Sequence, residues 1–158
     1  MSLEALGEVN VCGNRFTDLW LNEGPATALA PHLHKPEVYE EAYFTNHTLA
    51  AIAAHDLSTP LFLFHSFHLI HTPLEVPTDY LDQFSFVDYK NRQLYAAMVY
   101  YCDTVIGQIT AAIQARPGMW DNTLVVMLSD NGGPVYRPAS ANNYPHRGGK
   151  YSCVAADR

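Results

Sequence analysis

The sequence predicts an α/β fold, on three observations: two short, wholly apolar runs and one long amphipathic stretch between them. Leu61–Ser66 opens Leu-Phe-Leu-Phe, and Thr123–Ser129 reads Thr-Leu-Val-Val-Met-Leu-Ser. Runs of that length without polar alternation mark strands buried on both faces. Between them, Tyr89–Arg116 sets Leu94, Met98, Tyr101, Val105, Ile109 and Ala112 at helical spacing, the stripe of a helix that covers a core. Strand, helix and strand in that order predict a βαβ unit with parallel strands and a right-handed crossover.

The remaining elements follow from local signals. Residues Met1–Pro36 are poorly periodic; Phe16–Leu21 reads as a strand and Asn22-Glu23-Gly24-Pro25 as a turn. Pro36–His55 reads as a helix, with Tyr39, Ala42, Tyr43, Leu49, Ala50 and Ala53 on its apolar face and Pro36 near its start, where a missing N–H does no harm. Asp56–Pro60 breaks it. Pro73 and Pro77 keep the stretch after Ser66 irregular. Asp88 is the expected N-cap of the long helix, and Pro117-Gly118 its stop. A parallel sheet of two strands has open edges and uncovered faces, so the chain by itself is expected to be marginally stable and prone to aggregate.

Composition narrows the function. The 158 residues are 48% hydrophobic and 16% charged, which fits a globular chain. The formal net charge of -7 disfavours a nucleic-acid partner, because a phosphate backbone needs clustered basic residues. A small anionic ligand remains compatible, since it needs only a local positive site. No run of about 18 apolar residues predicts a membrane span, and the start, MSLEALGEVN, lacks the pattern of a signal peptide. Cys12, Cys102 and Cys153 show no metal-ligand spacing and read as separate thiols. Asn46-His47-Thr48 is a glycosylation sequon.

The chemistry-bearing residues cluster after the two predicted strands. Ligands of open α/β sheets bind at the carboxyl ends of strands. That rule selects His71, in His71-Thr72-Pro73, and Asp130-Asn131, directly after Ser129. A carboxylate and an amide carbonyl are hard oxygen donors suited to Ca²⁺ or Mg²⁺; Asp-Asn-Gly is equally ordinary turn chemistry. His71 can donate to an anion or act as an acid, or simply bond a backbone carbonyl. His65, His68 and His71 do not make a zinc set, since in a strand the first two face opposite ways and the outer pair lie about 20 Å apart. Lys150 follows Arg147-Gly148-Gly149, where glycines let its ammonium approach a ligand; the spacing is not that of a Walker loop.

These pieces, in this order, resemble the sulfatase family, and within it the arylsulfatases. The resemblance rests on Pro60 to Phe64, His71-Thr72-Pro73-Leu74-Glu75-Val76-Pro77, Tyr80-Leu81, Lys90-Asn91-Arg92, Tyr95 to Val99, Trp120-Asp121-Asn122-Thr123, Ser129 to Gly133, and Asn142 to Ser152. It implies an alkaline-phosphatase-like parallel or mixed sheet flanked by helices, here incomplete. It implies that residues 1–158 are the central part of a catalytic domain, without the N-terminal segment that bears the nucleophile and without the C-terminal part. It implies calcium on Asp130 and Asn131, and sulfate contacts from His71 and Lys150. The implied activity is calcium-dependent hydrolysis of a small sulfate ester, an aryl sulfate or a sulfated sugar, in the secretory pathway, lysosomal or extracellular. The family nucleophile is a cysteine converted to formylglycine in a Cys-x-Pro-Ser-Arg context. Cys12, Cys102 and Cys153 all stand in other contexts, so the chain alone is expected not to turn over. Two other readings stay open at this point: a phosphodiesterase or phosphatase of the same superfamily with two transition metals, and a module that keeps the fold without catalysis.

Overall fold

The computed structural model describes residues 8–11, 14–17, 19–26, 39–135 and 141–151. Compactness divides the chain into residues 1–47 and 48–158.

The first unit carries the described sheet structure. β1 (Glu8–Val11) pairs antiparallel with β2 (Asn14–Thr17), Glu8 opposite Thr17 and Val11 opposite Asn14. β3 (Trp20–Leu21) and β4 (Gly24–Pro25) form a second, minimal hairpin, with Leu21 opposite Gly24. The Asn22-Glu23 link sets Asn22 at φ 58°, the left-handed region that asparagine tolerates better than most residues. The expected strand over Phe16–Leu21 is therefore the end of one hairpin and the start of another, with residue 18 outside the described residues. Leu19 and Ala26 are buried with Phe44 packed on them, and Ala26 N–H donates to Leu19 carbonyl at 2.8 Å.

Helix α1 runs Glu40–Ala54, four residues short of the expected start; residues 36–38 lie outside the described set. Its buried positions are Glu41, Thr45 and Ile52, so the apolar face read from Tyr39 to Ala53 is rotated from the one the helix buries. Thr45 Oγ1 donates to Glu41 carbonyl at 2.7 Å, which satisfies a buried hydroxyl inside the helix. The stop at Asp56 is as the sequence reads it. Ser58 N–H donates to Asp56 Oδ1 at 2.9 Å. That backbone bond holds the Asp56 carboxyl below the usual carboxylate range.

In the second unit, α2 (Thr78–Asp82) packs on α3 (Lys90–Gln114). Tyr80 meets Tyr101 at 4.7 Å and Tyr100 at 5.7 Å between ring centroids, and Gln93 Nε2 donates to Leu81 carbonyl at 3.3 Å. The buried stripe of α3 is Leu94, Ala97, Met98, Tyr101 and Val105, the upper half of the one expected; Ile109 and Ala112 are half-buried. Tyr89, not Asp88, is the N-cap, and it makes no side-chain cap bond. Gly118 at φ 70° ends the segment after Pro117. By length and composition α3 also qualifies as a membrane span. Its buried stripe packs against the short helix, and Lys90, Arg92 and Asp103 are charged positions within the span.

The expected βαβ sheet is the main correction. Leu61–Ser66 and Thr123–Ser129 contain no strand, and the described sheets are the two N-terminal hairpins alone. The cause is a lack of neighbours. A strand buried on both faces exists only when other strands and covering helices flank it. Here Phe62 is 92% exposed, Phe64 79%, Leu124 87% and Leu128 78%. Among the described residues, neither run takes part in a strand pairing.

Two predictions follow from this packing. Unpaired apolar runs are templates for association, so the chain should scatter light progressively as its concentration rises. A Phe62→Lys, Val126→Lys double variant should scatter less; equal scattering, or a cooperative melt of the parent chain above about 60 °C, would contradict the picture of two bare strand sequences. Separately, Arg116 Nη1 donates to Ala53 carbonyl at 3.0 Å and its Nη2 donates to His55 carbonyl, bonding the carbonyls at the end of α1. Arg116→Ala should lower stability in urea by about 1–3 kcal/mol, read from the unfolding midpoint; an unmoved midpoint would refute the cap.

Candidate active site

His71 and Lys150 meet. Lys150 Nζ stands 3.2 Å from His71 Nε2 although 79 residues separate them. His71 Nδ1 is 2.8 Å from Thr72 carbonyl. A carbonyl only accepts, so Nδ1 carries the hydrogen and Nε2 is the lone-pair nitrogen that receives the lysine N–H. The bond to a backbone carbonyl expected of a structural histidine is present; it orients the ring and leaves Nε2 turned to Lys150. Lys150 is half-buried, and its ammonium lies 5.5 Å from the Tyr151 ring centroid, close enough for cation–π attraction.

Asp130 and Asn131 form a tight turn. Asp130 Oδ1 accepts Asn131 N–H at 2.8 Å, Asn131 Nδ2 donates to Gly132 carbonyl at 3.1 Å, and Ser129 Oγ donates to Asn131 carbonyl at 2.6 Å. These bonds are turn chemistry, yet among the described residues they leave Asp130 Oδ2 and Asn131 Oδ1 uncommitted. Those two oxygens are the donor type that calcium takes. Calcium uses about six to eight oxygens, so this pair fits the chemistry of such a site and supplies a fraction of its ligands. Among the described residues, no group of three His, Cys, Asp or Glu side chains is placed to hold a metal ion. His65 is engaged elsewhere, its Nδ1 lying 2.8 Å from Thr48 Oγ1.

The loop of Asp130 and the loop of Lys150 touch through their glycines. A Cβ on Gly149 would collide with Gly133 carbonyl oxygen and stand 2.9 Å from Asn143 Nδ2; one on Gly133 would stand 2.6 Å from Ala141 Cβ and 3.1 Å from the Tyr95 hydroxyl. Side chains are excluded at both positions, and that exclusion brings the two backbones together. Beside them lies a shallow cavity of about 350 Å³ lined by Tyr95, Ser129, Asn131, Asn143, Tyr144 and His146.

Sequence reasoning singled out His71, Asp130, Asn131 and Lys150 and missed Tyr95, Asn143 and His146. Tyr95 sits beside the apolar stripe of α3, where its hydroxyl is the one signal of a second role. Asn143 and His146 fall in a Pro- and Asn-rich loop with no periodicity to interpret. Of the cysteines, Cys102 is half-buried on α3; Cys12 and Cys153 lie outside the described residues. None stands in a formylglycine context. Asn46 is exposed on α1.

The sulfatase family model matches residues 8–157, nearly the whole chain. The chain belongs to the sulfatase family. Among curated proteins it is similar to arylsulfatase J of Mus musculus, 34% identical over 113 residues, which is 72% of this chain and 18% of the relative. The chain thus spans less than a fifth of that relative's length. Membership implies the alkaline-phosphatase-like α/β fold; the regular structure among the described residues is mostly helix.

Burial raises the Tyr95 phenol above its ordinary value of 10.0, with Arg92 opposing. The folded chain then holds this proton to higher pH than the unfolded chain. Its contribution to stability is whole below pH 10 and is lost as pH rises through the folded value. Tyr95→Phe should flatten the decline of urea stability above pH 10; parallel pH profiles for the two chains would contradict it.

Proposed function

We propose that this chain supplies the sulfate-binding half of a calcium-dependent sulfuric ester hydrolase. The observation that carries the reading is the 3.2 Å approach of Lys150 Nζ to His71 Nε2. Lys150 Nζ donates to His71 Nε2, so the ring holds the ammonium in place while its remaining N–H bonds are left to offer to the oxygens of one tetrahedral anion. The His71 ring is aimed by Thr72, so it is oriented before an anion arrives. Preorganised donors stabilise charge more effectively than donors that must be recruited. Lys150 supplies the donors, and His71 holds its ammonium in place through Nε2.

Asp130 and Asn131 are the residues that would hold calcium, with their uncommitted oxygens. Calcium, when bound, would supply positive charge against the non-bridging oxygens of the ester. The bond to Gly132 and the bonds within the turn orient both side chains.

The substrate class is a small sulfated ester, an aryl sulfate or a sulfated sugar. The net charge of -7 opposes a polyanionic nucleic acid. Family likeness and the sequon support a secretory, lysosomal or extracellular setting, with Asn46 as a glycan acceptor on an exposed helix position. The chain alone binds anion and does not turn over, because none of its cysteines has the context of the family nucleophile.

Titration of the isotopically labelled chain with inorganic sulfate tests this. Resonances of His71 and Lys150 should shift together and saturably. Lys150→Ala should weaken the apparent affinity roughly tenfold or more, and aryl sulfate should bind without being hydrolysed. Unsaturable shifts, or an unchanged affinity in the variant, would sink the anion site.

A further inference from the structure

We infer that Asn143 is a positioning residue that locks the loop of Asp130 and Asn131 to the loop of Lys150. Gly133 N–H donates to Asn143 Oδ1 at 2.8 Å, and Asn143 Nδ2 donates to Gly133 carbonyl at 2.7 Å. The second hydrogen of the same Nδ2 goes to Gly148 carbonyl at 2.9 Å. One side-chain amide therefore engages both backbone groups of Gly133 and also the backbone two residues before Lys150. An amide carries two donor hydrogens and one acceptor oxygen, and every one of them is used.

The arrangement is selective for asparagine. Aspartate would keep the acceptor for Gly133 N–H but set a carboxylate oxygen against two carbonyls. Glutamine would move the amide by a methylene while Gly133 and Gly149 stay in contact. The neighbouring Asn142 is different: its Oδ1 accepts Tyr144 N–H at 3.0 Å, a bond inside its own loop. The glycine contact and the amide clamp act on the same pair of backbones, from opposite requirements. Glycines permit the approach, and Asn143 fixes its register. With Gly133 held, the turn that presents Asp130 and Asn131 is held two residues away; with Gly148 held, Lys150 leaves from a fixed backbone toward His71.

The inference rests on the anion-binding reading of His71 and Lys150, and the test separates the two. The full chain is compared with Asn143→Ala, Asn143→Asp, Asn142→Ala and Gly149→Ala. Exchange of the Gly133 amide reads the clamp directly, and titration with inorganic sulfate reads its consequence. Asn143→Ala and Asn143→Asp should each accelerate Gly133 exchange and weaken sulfate binding roughly tenfold. Asn142→Ala should do neither. Gly149→Ala leaves the amide in place and pushes the backbones apart, so it should weaken sulfate binding as well, giving a second route if an Asn143 variant loses its helical circular dichroism. Unchanged Gly133 exchange in Asn143→Ala overturns the clamp. Faster exchange with unchanged sulfate affinity overturns the positioning role. Failure of the parent chain to bind sulfate removes the anion reading and the positioning role with it, while the exchange comparison still decides whether the clamp exists.

Discussion

A lysine ammonium and an imidazole nitrogen share one hydrogen bond across 79 residues of chain, and the arrangement of the site depends on it. The bond requires a neutral ring with its lone pair on Nε2, and the Thr72 carbonyl enforces that by holding the hydrogen on Nδ1. It requires the Lys150 backbone to arrive at a fixed place, and two glycines in contact provide that. Remove either condition and the two side chains separate. A long side chain such as lysine loses rotamer freedom when it is pinned, so the contact persists only because the backbones on both sides are already positioned.

The surrounding elements supply that rigidity unequally. The long helix is firm, with five buried side chains along one face and the short helix packed across it through Tyr80 and Gln93. Arg116 secures its far end to the carbonyls that close the first helix. Tyr95 reaches from this helix to the neighbourhood of Gly133, in the loop of Asp130. The apolar runs that should carry the site in a sheet are bare. The site's local order therefore comes from loop hydrogen bonds and glycine packing, with the helix as the backstop.

The sequence made the helices legible because amphipathic spacing is a local signal. Leu94, Met98, Tyr101 and Val105 fall on the buried face as expected. The first helix shows the limit of that signal: its weakly amphipathic composition left the face undecided, and Glu41 and Thr45 are buried where Ala50 and Ala53 were expected. Composition marks Leu61–Ser66 and Thr123–Ser129 as strands. Composition reports what a segment would bury, while pairing depends on partners far away in sequence. His71, Asp130, Asn131 and Lys150 stood out as chemistry at the ends of apolar runs and through family likeness. The approach of His71 to Lys150 was not visible, since spacing along a chain carries no information about a contact 79 residues long. Asn143 escaped for a similar reason, because a side-chain amide that bonds backbone groups leaves no trace in residue type.

The ¹⁵N resonances of the His71 ring test the central contact most directly. At a pH where the imidazole is neutral, the account predicts the Nδ1–H tautomer, with Nε2 showing the shift of a hydrogen-bond acceptor that changes in Lys150→Ala. An Nε2–H tautomer, or a ring whose nitrogens ignore the loss of Lys150, would contradict the meeting of these two side chains.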